Sequence, residues 1–412
     1  MQTILIIGTA DTKSDELQFM QQCLQNQGAN APIMDVGVLG EPSINIEYSK
    51  YEVATAANTT NAEIIAINDE NLAMAKTAEG ASKLVLSLYK NQKINGIIVL
   101  GGTMGTDLAL DVCAVLPLGV PKFVVSTIAF SHLIPSERIP PDLMMILWAG
   151  GLYGLNDVCK MTLSMACGAV LGAAKADYKP QNNRPVIGMT SLGKSCLKYM
   201  VRLQPELDKR GFDLTVFHTT GMGGRAFESL CEQGYFAAVM DFSLPEIVNE
   251  MIGTVVSAGK NRLEAAGKNG IPQLVAPGCV DLSDVQEWKT IPTKYKNRPY
   301  HAHNRLLGSF ALSEKERRQS ARLIAKKLNK AKSPTTLFLP LKGIEEWDRI
   351  GEPLHDFEGL NAFFEEIKQH IDAKITLIEV EGHINDEAFI QAVLTVFDDW
   401  VAKKIIKNDK TN

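Results

Sequence analysis

The stretch Val99 to Leu110 reads VLGGTMGTDLAL. Gly101, Gly102 and Gly105 carry no side chain, so main-chain N–H groups there can approach an anion closely. Thr103 and Thr106 add hydroxyl donors, and a helix beginning in the same stretch would aim its positive end at the same point. That is the chemistry of a phosphate cradle. Close packing of a strand on a helix also uses glycine, and stays open as the alternative. Asp107 at the helix start suits the dipole or lies near a ligand's Mg²⁺. A related turn, Gly8-Thr9-Ala10-Asp11-Thr12-Lys13, follows the first apolar run. Thr9 and Thr12 can donate to phosphate or cap a helix, Lys13 can neutralise charge, and Asp11 can meet a ribose hydroxyl or a metal. Ser126 and Thr127 end a further apolar run and would line the same rim.

Residues 188 to 195, GMTSLGKS, spell the P-loop pattern G-x-x-x-x-G-K-[ST]. The setting, after a strand and before a helix, is right, and the later Phe236-to-Asp241 run resembles a strand ending in a Mg²⁺-organising aspartate. Pro185, however, leaves only Val186 and Ile187 before Gly188. A strand continuing through Met189 would place Gly188 inside it and shrink the loop below what wraps a phosphate. The reading adopted is a strand-to-helix turn, with Gly193 supplying a positive φ.

The second half carries Thr219-Thr220-Gly221-Met222-Gly223-Gly224-Arg225, another glycine loop between strand and helix, with an arginine that can reach an anion. Pro299 to Arg305 is dense in donors. His301 and His303 could share a metal if the segment were extended, but no third ligand is spelled nearby, so no metal site is assigned. Substrate contacts from His301, His303, Asn304 and Arg305, or a merely structural loop, are the readings kept. Glu264 and Lys268, four apart, suit a solvent-exposed ion pair.

These loops need elements to hold them. Continuous apolar runs at Ile4–Ile7, Pro32–Val38, Ile97–Leu100, Val120–Ser126 and Met144–Trp148 alternate with helical stripes such as Asn71–Lys90, which predicts a parallel sheet covered on both faces. The polar segment Ala176–Arg184 marks a joint, after which the pattern restarts. Strands are expected at Val186–Met189, Leu214–Phe217, Phe236–Met240, Ile271–Ala276, Thr336–Pro340 and Ile375–Val380. Helices are expected at Cys196–Lys209, Gly224–Gln233, Pro245–Gly253, Glu314–Leu328 and Asp386–Lys404. The fold class is therefore α/β: two Rossmann-like domains, 1–178 and 184–408, with mainly parallel sheets facing each other across a cleft.

The 412 residues suit two domains of roughly 150–200 residues each. With 42 basic against 47 acidic side chains, the chain has no basic footprint for nucleic acid. Its seven cysteines are scattered without a C-x-x-C pair, the usage of a reducing cytosol. No signal peptide is seen at the N-terminus, and the apolar run Leu163–Ala174 falls short of the ~20 residues of a span. A cytoplasmic protein without membrane contact is expected.

Six ordered motifs carry a resemblance: GTADTKSDE (Gly8–Glu16), LGGTMGTDLA (Leu100–Ala109), LPLGVPKFVVST (Leu116–Thr127), TGMGGRAFESL (Thr220–Leu230), SAGKNRLEAAGKNGIPQLVAPGCVD (Ser257–Asp281) and RPYHAHNR (Arg298–Arg305). Together they resemble the family defined by the ATP-binding domain of the tomato protein that confers resistance to tomato mosaic virus. The resemblance spans about Ile4 to Leu394. It implies two Rossmann-like subdomains, ATP binding and self-association, hence a homodimer or higher homo-oligomer. In that family the turn after the Val186 strand usually lacks Gly-Lys-Ser, which makes the P-loop spelling a chance match. Ala129-Phe130-Ser131 and MMILWAGGLYGLN also depart from the pattern.

The expectation is then a nucleotide-binding protein. Gly8–Lys13 and Gly101–Thr106 would hold the phosphates of ATP, with or without Mg²⁺. Gly221, Gly223, Gly224 and Arg225, with His301–Arg305, would hold a second, unidentified substrate. Phosphoryl or nucleotidyl transfer is the natural reaction class, since it needs positioning and charge stabilisation more than a nucleophile. The alternatives are a nucleotide-responsive regulatory protein and a nucleotide-sugar enzyme of the epimerase or glycosyltransferase kind.

Overall fold

A computed structural model describes residues 1–135, 138–148, 154–176, 178, 184–193 and 195–407. The chain divides into two compact units, 1–179 and 180–412.

The first unit runs β1 (Ile4–Gly8), α1 (Ser14–Asn26), β2 (Ile33–Asp35), α2 (Lys50–Ala56), α3 (Asn61–Ala66), α4 (Glu70–Lys90), β3 (Gly96–Gly101), α5 (Thr103–Ala114), β4 (Lys122–Ser126), β5 (Met144–Leu147) and α6 (Asp157–Lys175). All strands are parallel, in the order β2-β1-β3-β4-β5. The apolar runs lack alternation because both faces are covered. Ile4, Ile6, Ile98 and Val125 meet α1 and α6 on one side. Leu5, Ile7, Val99 and Val124 meet α2, α4 and α5 on the other. By length and composition α6 could cross a membrane. Its Cys159, Leu163, Ala166, Cys167, Val170 and Leu171 are instead buried in the core of the unit.

The second unit runs β6 (Val186–Ser191), α7 (Lys198–Lys209), β7 (Asp213–His218), α8 (Met222–Glu232), β8 (Ala238–Ser243), α9 (Pro245–Ile252), α10 (Ala265–Lys268), β9 (Gln273–Gly278), β10 (Leu282–Gln286), β11 (Tyr300–Ala302), β12 (Leu307–Ala311), α11 (Glu314–Leu328), β13 (Thr335–Pro340), α12 (Phe357–His370), β14 (Thr376–Val380) and α13 (Glu387–Ala402). Its main sheet is parallel, in the order β14-β13-β9-β8-β6-β7. Counted along the chain, the first strand lies between the second and third in both units. Two Rossmann-like α/β domains are therefore present.

Two features differ from the expected pattern. β10, β12 and β11 form a separate antiparallel sheet between β9 and α11. These strands are short and interrupted by polar residues, so no apolar run announces them. Helices α2, α3, α6 and α12 also go beyond the predicted elements. Both α2 and α3 are only one to two turns long and depend on capping boxes at Ser49 and Thr60.

Candidate functional site

A doubly wound sheet opens a crevice where strand order reverses, outside the carboxyl ends of the two strands that diverge. In the first unit those strands are β1 and β3, which feed the two loops selected from the sequence. A cavity of about 760 Å³ lies there. The β1 loop lines it with Thr9, Asp11, Thr12 and Lys13, and the β3 loop with Gly101, Gly102, Thr103, Met104 and Gly105. Val36, Val38, Leu39, Ile64, Ile65 and Met74 supply an apolar wall.

The glycines of the β3 loop have separable roles. A Cβ on Gly101 would lie 2.5 Å from the Gly105 carbonyl carbon, so Gly101 is needed for the strand end to touch the first turn of α5. At Gly102 the nearest atom to a Cβ is Thr127 Oγ1 at 3.9 Å, so this position has room. The first amides of α5 have no intrahelical acceptor, and among the described residues no side chain caps them. They form the electropositive end of the cavity.

Thr106 and Ser126 are fully buried, and their hydroxyls lie 2.6 Å apart. Thr106 Oγ1 donates to Gly102 O at 2.7 Å, and Ser126 Oγ accepts from Ile128 N at 3.0 Å. They hold the loop from beneath, a correction to their expected place on the ligand rim. Thr127 is half-buried beside Gly102, outside the cavity lining. Asp107 pairs with Arg138, which also binds Asp111 at 2.8 Å. Asp107 is exposed and stands outside the cavity lining, away from the place expected for a Mg²⁺ ligand.

The β1 loop is braced from β2. Asp35 Oδ1 accepts from Ala10 N at 2.9 Å and Gly37 N at 2.8 Å. Burial raises the Asp35 pKa, against the pull of those amides. Asp11 Oδ2 accepts from Gly40 N at 3.1 Å, and Thr9 and Thr12 share a hydroxyl contact of 3.0 Å. Lys50, 3% exposed, donates to Gly40 O at 2.6 Å and fastens the same β2–α2 segment. Neither Asp35 nor Lys50 was selected from the sequence; Asp35 stands inside the apolar run Pro32–Val38, where nothing local marks it as a brace.

The second unit treats its strand ends differently. Gly188 lies within β6, where a Cβ would press on the Phe236 ring at 2.9 Å, and Gly193 has a φ of 45°. The turn closes on itself: Ser195 N and Cys196 N both donate to Leu192 O, at 3.1 and 3.2 Å. Gly193 N donates to His218 Nδ1 at 3.3 Å. Amides committed in this way cannot surround a phosphate, and α7 begins only at Lys198. Lys194 lies outside the described residues, as do 149–153 of MMILWAGGLYGLN.

The GMGGR loop does bind an anion, and the anion belongs to the protein. Gly221 N and Gly224 N donate to Glu246 Oε1 at 2.7 and 3.0 Å. Arg262 Nε donates to Glu246 Oε2 at 2.8 Å, and the same guanidinium forks onto Asp241 at 2.5 and 2.7 Å and reaches Glu228 at 3.1 Å. Arg262, Glu246 and Asp241 are at most 1% exposed. A Cβ at Gly223 would collide with His218 O, and one at Gly224 with Glu246. The expected substrate role of Gly221, Gly223 and Gly224 is thus corrected: Glu246 occupies the place an external anion would take. Arg225 is half-buried on α8. Asp241, the apparent Mg²⁺ organiser, is held by Arg262 and by Thr190 Oγ1 at 2.7 Å.

Burial raises the Glu246 pKa to about 7, with Arg262 and the two amides acting in the opposite direction.

His301 and His303 are brought to Trp347, with ring centroids 3.9 and 5.8 Å from it. Burial, then the neighbouring His303, lowers the His301 pKa. Among the described residues no group of three or more His, Cys, Asp or Glu side chains is set to hold a metal ion. Asn304 Oδ1 is committed to Leu306 N and Leu307 N at 2.7 and 3.1 Å, and Arg305 is exposed. Glu264 pairs with Lys327 and Lys330, at 3.1 and 3.2 Å, in place of the expected Lys268.

Fold and site together define a protein of two doubly wound α/β units, with an open strand-switch crevice in the first. Residues 2–179 match the N-terminal domain, and residues 184–401 the C-terminal domain, of the uncharacterised protein family UPF0261. The chain belongs to that family. A UPF0261 protein of Brucella melitensis is 54% identical over 98% of this chain and 96% of its own length. The ToMV resistance protein Tm-1(GCR237) of Solanum lycopersicum is 28% identical over 96% of this chain and 55% of its own length, so this chain spans about half of it. A UDP-GlcNAc 2-epimerase from Neisseria meningitidis bound to UDP-GlcNAc aligns over 67% of this chain and 82% of its own, at 11% identity and a TM-score of 0.24.

Proposed function

We propose that the first unit binds a nucleoside triphosphate, ATP or a close relative, in the crevice between β1 and β3. One observation carries this reading: a single cavity joins uncapped amides of a glycine loop to an apolar wall. The first end suits phosphate oxygens and the second a flat base. Among the described residues the lining has three carboxylates, Asp11, Asp69 and Glu70, against one ammonium, Lys13. That balance favours a polyphosphate already neutralised by Mg²⁺, with Asp11 the carboxylate supplied by the phosphate-side β1 loop. Phosphoryl or nucleotidyl transfer to a small molecule is the reaction class that such a site serves. We place the protein in the cytoplasm as a homo-oligomer; its seven free thiols support a reducing compartment. The exposed Val158, Met161 and Met165 on α6 offer apolar area for self-association.

Calorimetric titration with Mg·ATP tests binding, and phosphate release in the presence of candidate acceptors tests turnover. Gly102→Asp is the informative variant, because the position has room for a side chain and the carboxylate would enter the anion end. Mg·ATP titration of the wild type that gave no heat and no thermal shift would end the reading.

A further inference from the structure

Two cysteines with no part in the first-unit cavity meet in the second unit. Cys196 closes the turn after β6, and Cys279 follows directly on β9. They stand 83 positions apart, both are fully buried, and their sulfurs lie 3.2 Å from each other. Among the described residues no other two cysteine sulfurs are in such contact. The backbone is shaped around the pair. Cys279 has a φ of 60°, a left-handed conformation that glycine or asparagine adopts more readily. At the preceding Gly278 a Cβ would lie 2.1 Å from Phe242 O and 3.1 Å from Cys196 Sγ. Buried thiols often serve simply as small core residues, which explains the burial. It does not explain a cysteine in left-handed backbone with its sulfur set against another.

We infer that Cys196 and Cys279 form a reversible redox clasp, joined under peroxide by a disulfide that ties the turn after β6 to the end of β9. The oxidant is hydrogen peroxide, small enough to enter the interior when the turn opens locally. One sulfur, as the thiolate, attacks a peroxide oxygen; the O–O bond breaks, water leaves and a sulfenic acid remains. The second sulfur, also as the thiolate, attacks the first and displaces its oxygen as a second water. Two thiols give two electrons to one peroxide, and both thiol protons end in water. The contact must shorten by roughly 1.2 Å to reach a disulfide bond of about 2.05 Å. The turn can supply that movement, because Ser195 N and Cys196 N share the single acceptor Leu192 O outside any regular helix or strand. Burial, and then the neighbouring sulfur, hold the Cys279 thiol well above its ordinary range. The pair therefore stays reduced through brief exposure and closes slowly.

The test holds the native full chain in millimolar hydrogen peroxide, then unfolds, alkylates and digests it without a reductant. A peptide linked through Cys196 and Cys279 is expected in the mass map, absent from untreated protein and lost again after a dithiol. The oxidised protein should also melt roughly 5 °C or more above the reduced one, because the bridge restricts a long loop of the unfolded chain. Cys279→Gly keeps the left-handed backbone and removes one sulfur; Cys196→Ala removes the other. Each should abolish the linked peptide and the peroxide-induced rise in melting. If either variant fails to fold, the wild-type map decides alone. Both thiols recovered free, or carried on to sulfinic acid without linkage, would overturn the inference. So would a linked protein that melts no higher than the reduced form.

Discussion

The two units share a winding order, yet their strand ends have opposite fates. In the first, amides at the start of α5 face a cavity of about 760 Å³. In the second, amides at the start of α8 face Glu246, and Arg262 fills the space behind it with a guanidinium bound by three carboxylates. The same local device, glycine amides at a helix start, faces an open cavity in one unit and an internal carboxylate in the other. A glycine loop at a strand end is therefore evidence of an anion, but not of a foreign one.

The contrast is broken most severely at Arg262. Arg262→Ala leaves Asp241, Glu246 and Glu228 buried without a counter-charge and should destabilise the second unit by ~3–5 kcal/mol. Denaturant unfolding should show the loss in that unit's transition. Unchanged stability would mean that the network only decorates the fold.

A second test uses protons. With a folded pKa of about 7 against an ordinary 4.5, Glu246 retains a proton that the unfolded chain releases. Its contribution is thus most favourable below pH 4.5, falls as pH rises toward 7, and is level above that. The swing is on the order of 3 kcal/mol, from the size of the shift. Glu246→Gln should flatten stability between about pH 5 and 7, read by thermal melts across that range. A wild type without this slope would show that Glu246 is ionised throughout.

Gly102→Asp addresses the open unit. It should weaken Mg·ATP binding about 100-fold, ~2.7 kcal/mol, with the melting temperature nearly unchanged. Equal binding by the variant would remove the phosphate from the β3 loop. Lys194→Ala should have the smallest effect, less than twofold on Mg·ATP, because the turn beside it has its amides committed to Leu192 and His218. A large loss there would return the triphosphate to the second unit.

Much of the frame was legible in the residues. Ile4–Ile7 and Ile97–Leu100 could only be strands covered on both faces, and GGTMGT and GTADTK marked the rim they end on. Thr106 and Ser126 were misplaced because a hydroxyl beside a phosphate and a hydroxyl beneath one look alike in sequence. The strands β10, β11 and β12 escaped notice because they are short and interrupted by polar residues, and Asp69 and Glu70 because an acidic turn usually signals only a helix cap.

What the sequence alone determined is the set of elements and the glycines at their ends, since apolar periodicity and the steric freedom of glycine act over a few neighbouring residues. Which glycine loop remained open was decided only by tertiary structure. Glu246 reaches the Gly224 and Gly221 amides from 22 and 25 positions further along the chain, and Arg262, 16 positions beyond it, holds its other oxygen. Among the described residues no corresponding carboxylate caps the start of α5, and filling an anion site is a property of groups that meet only when the sheet has closed.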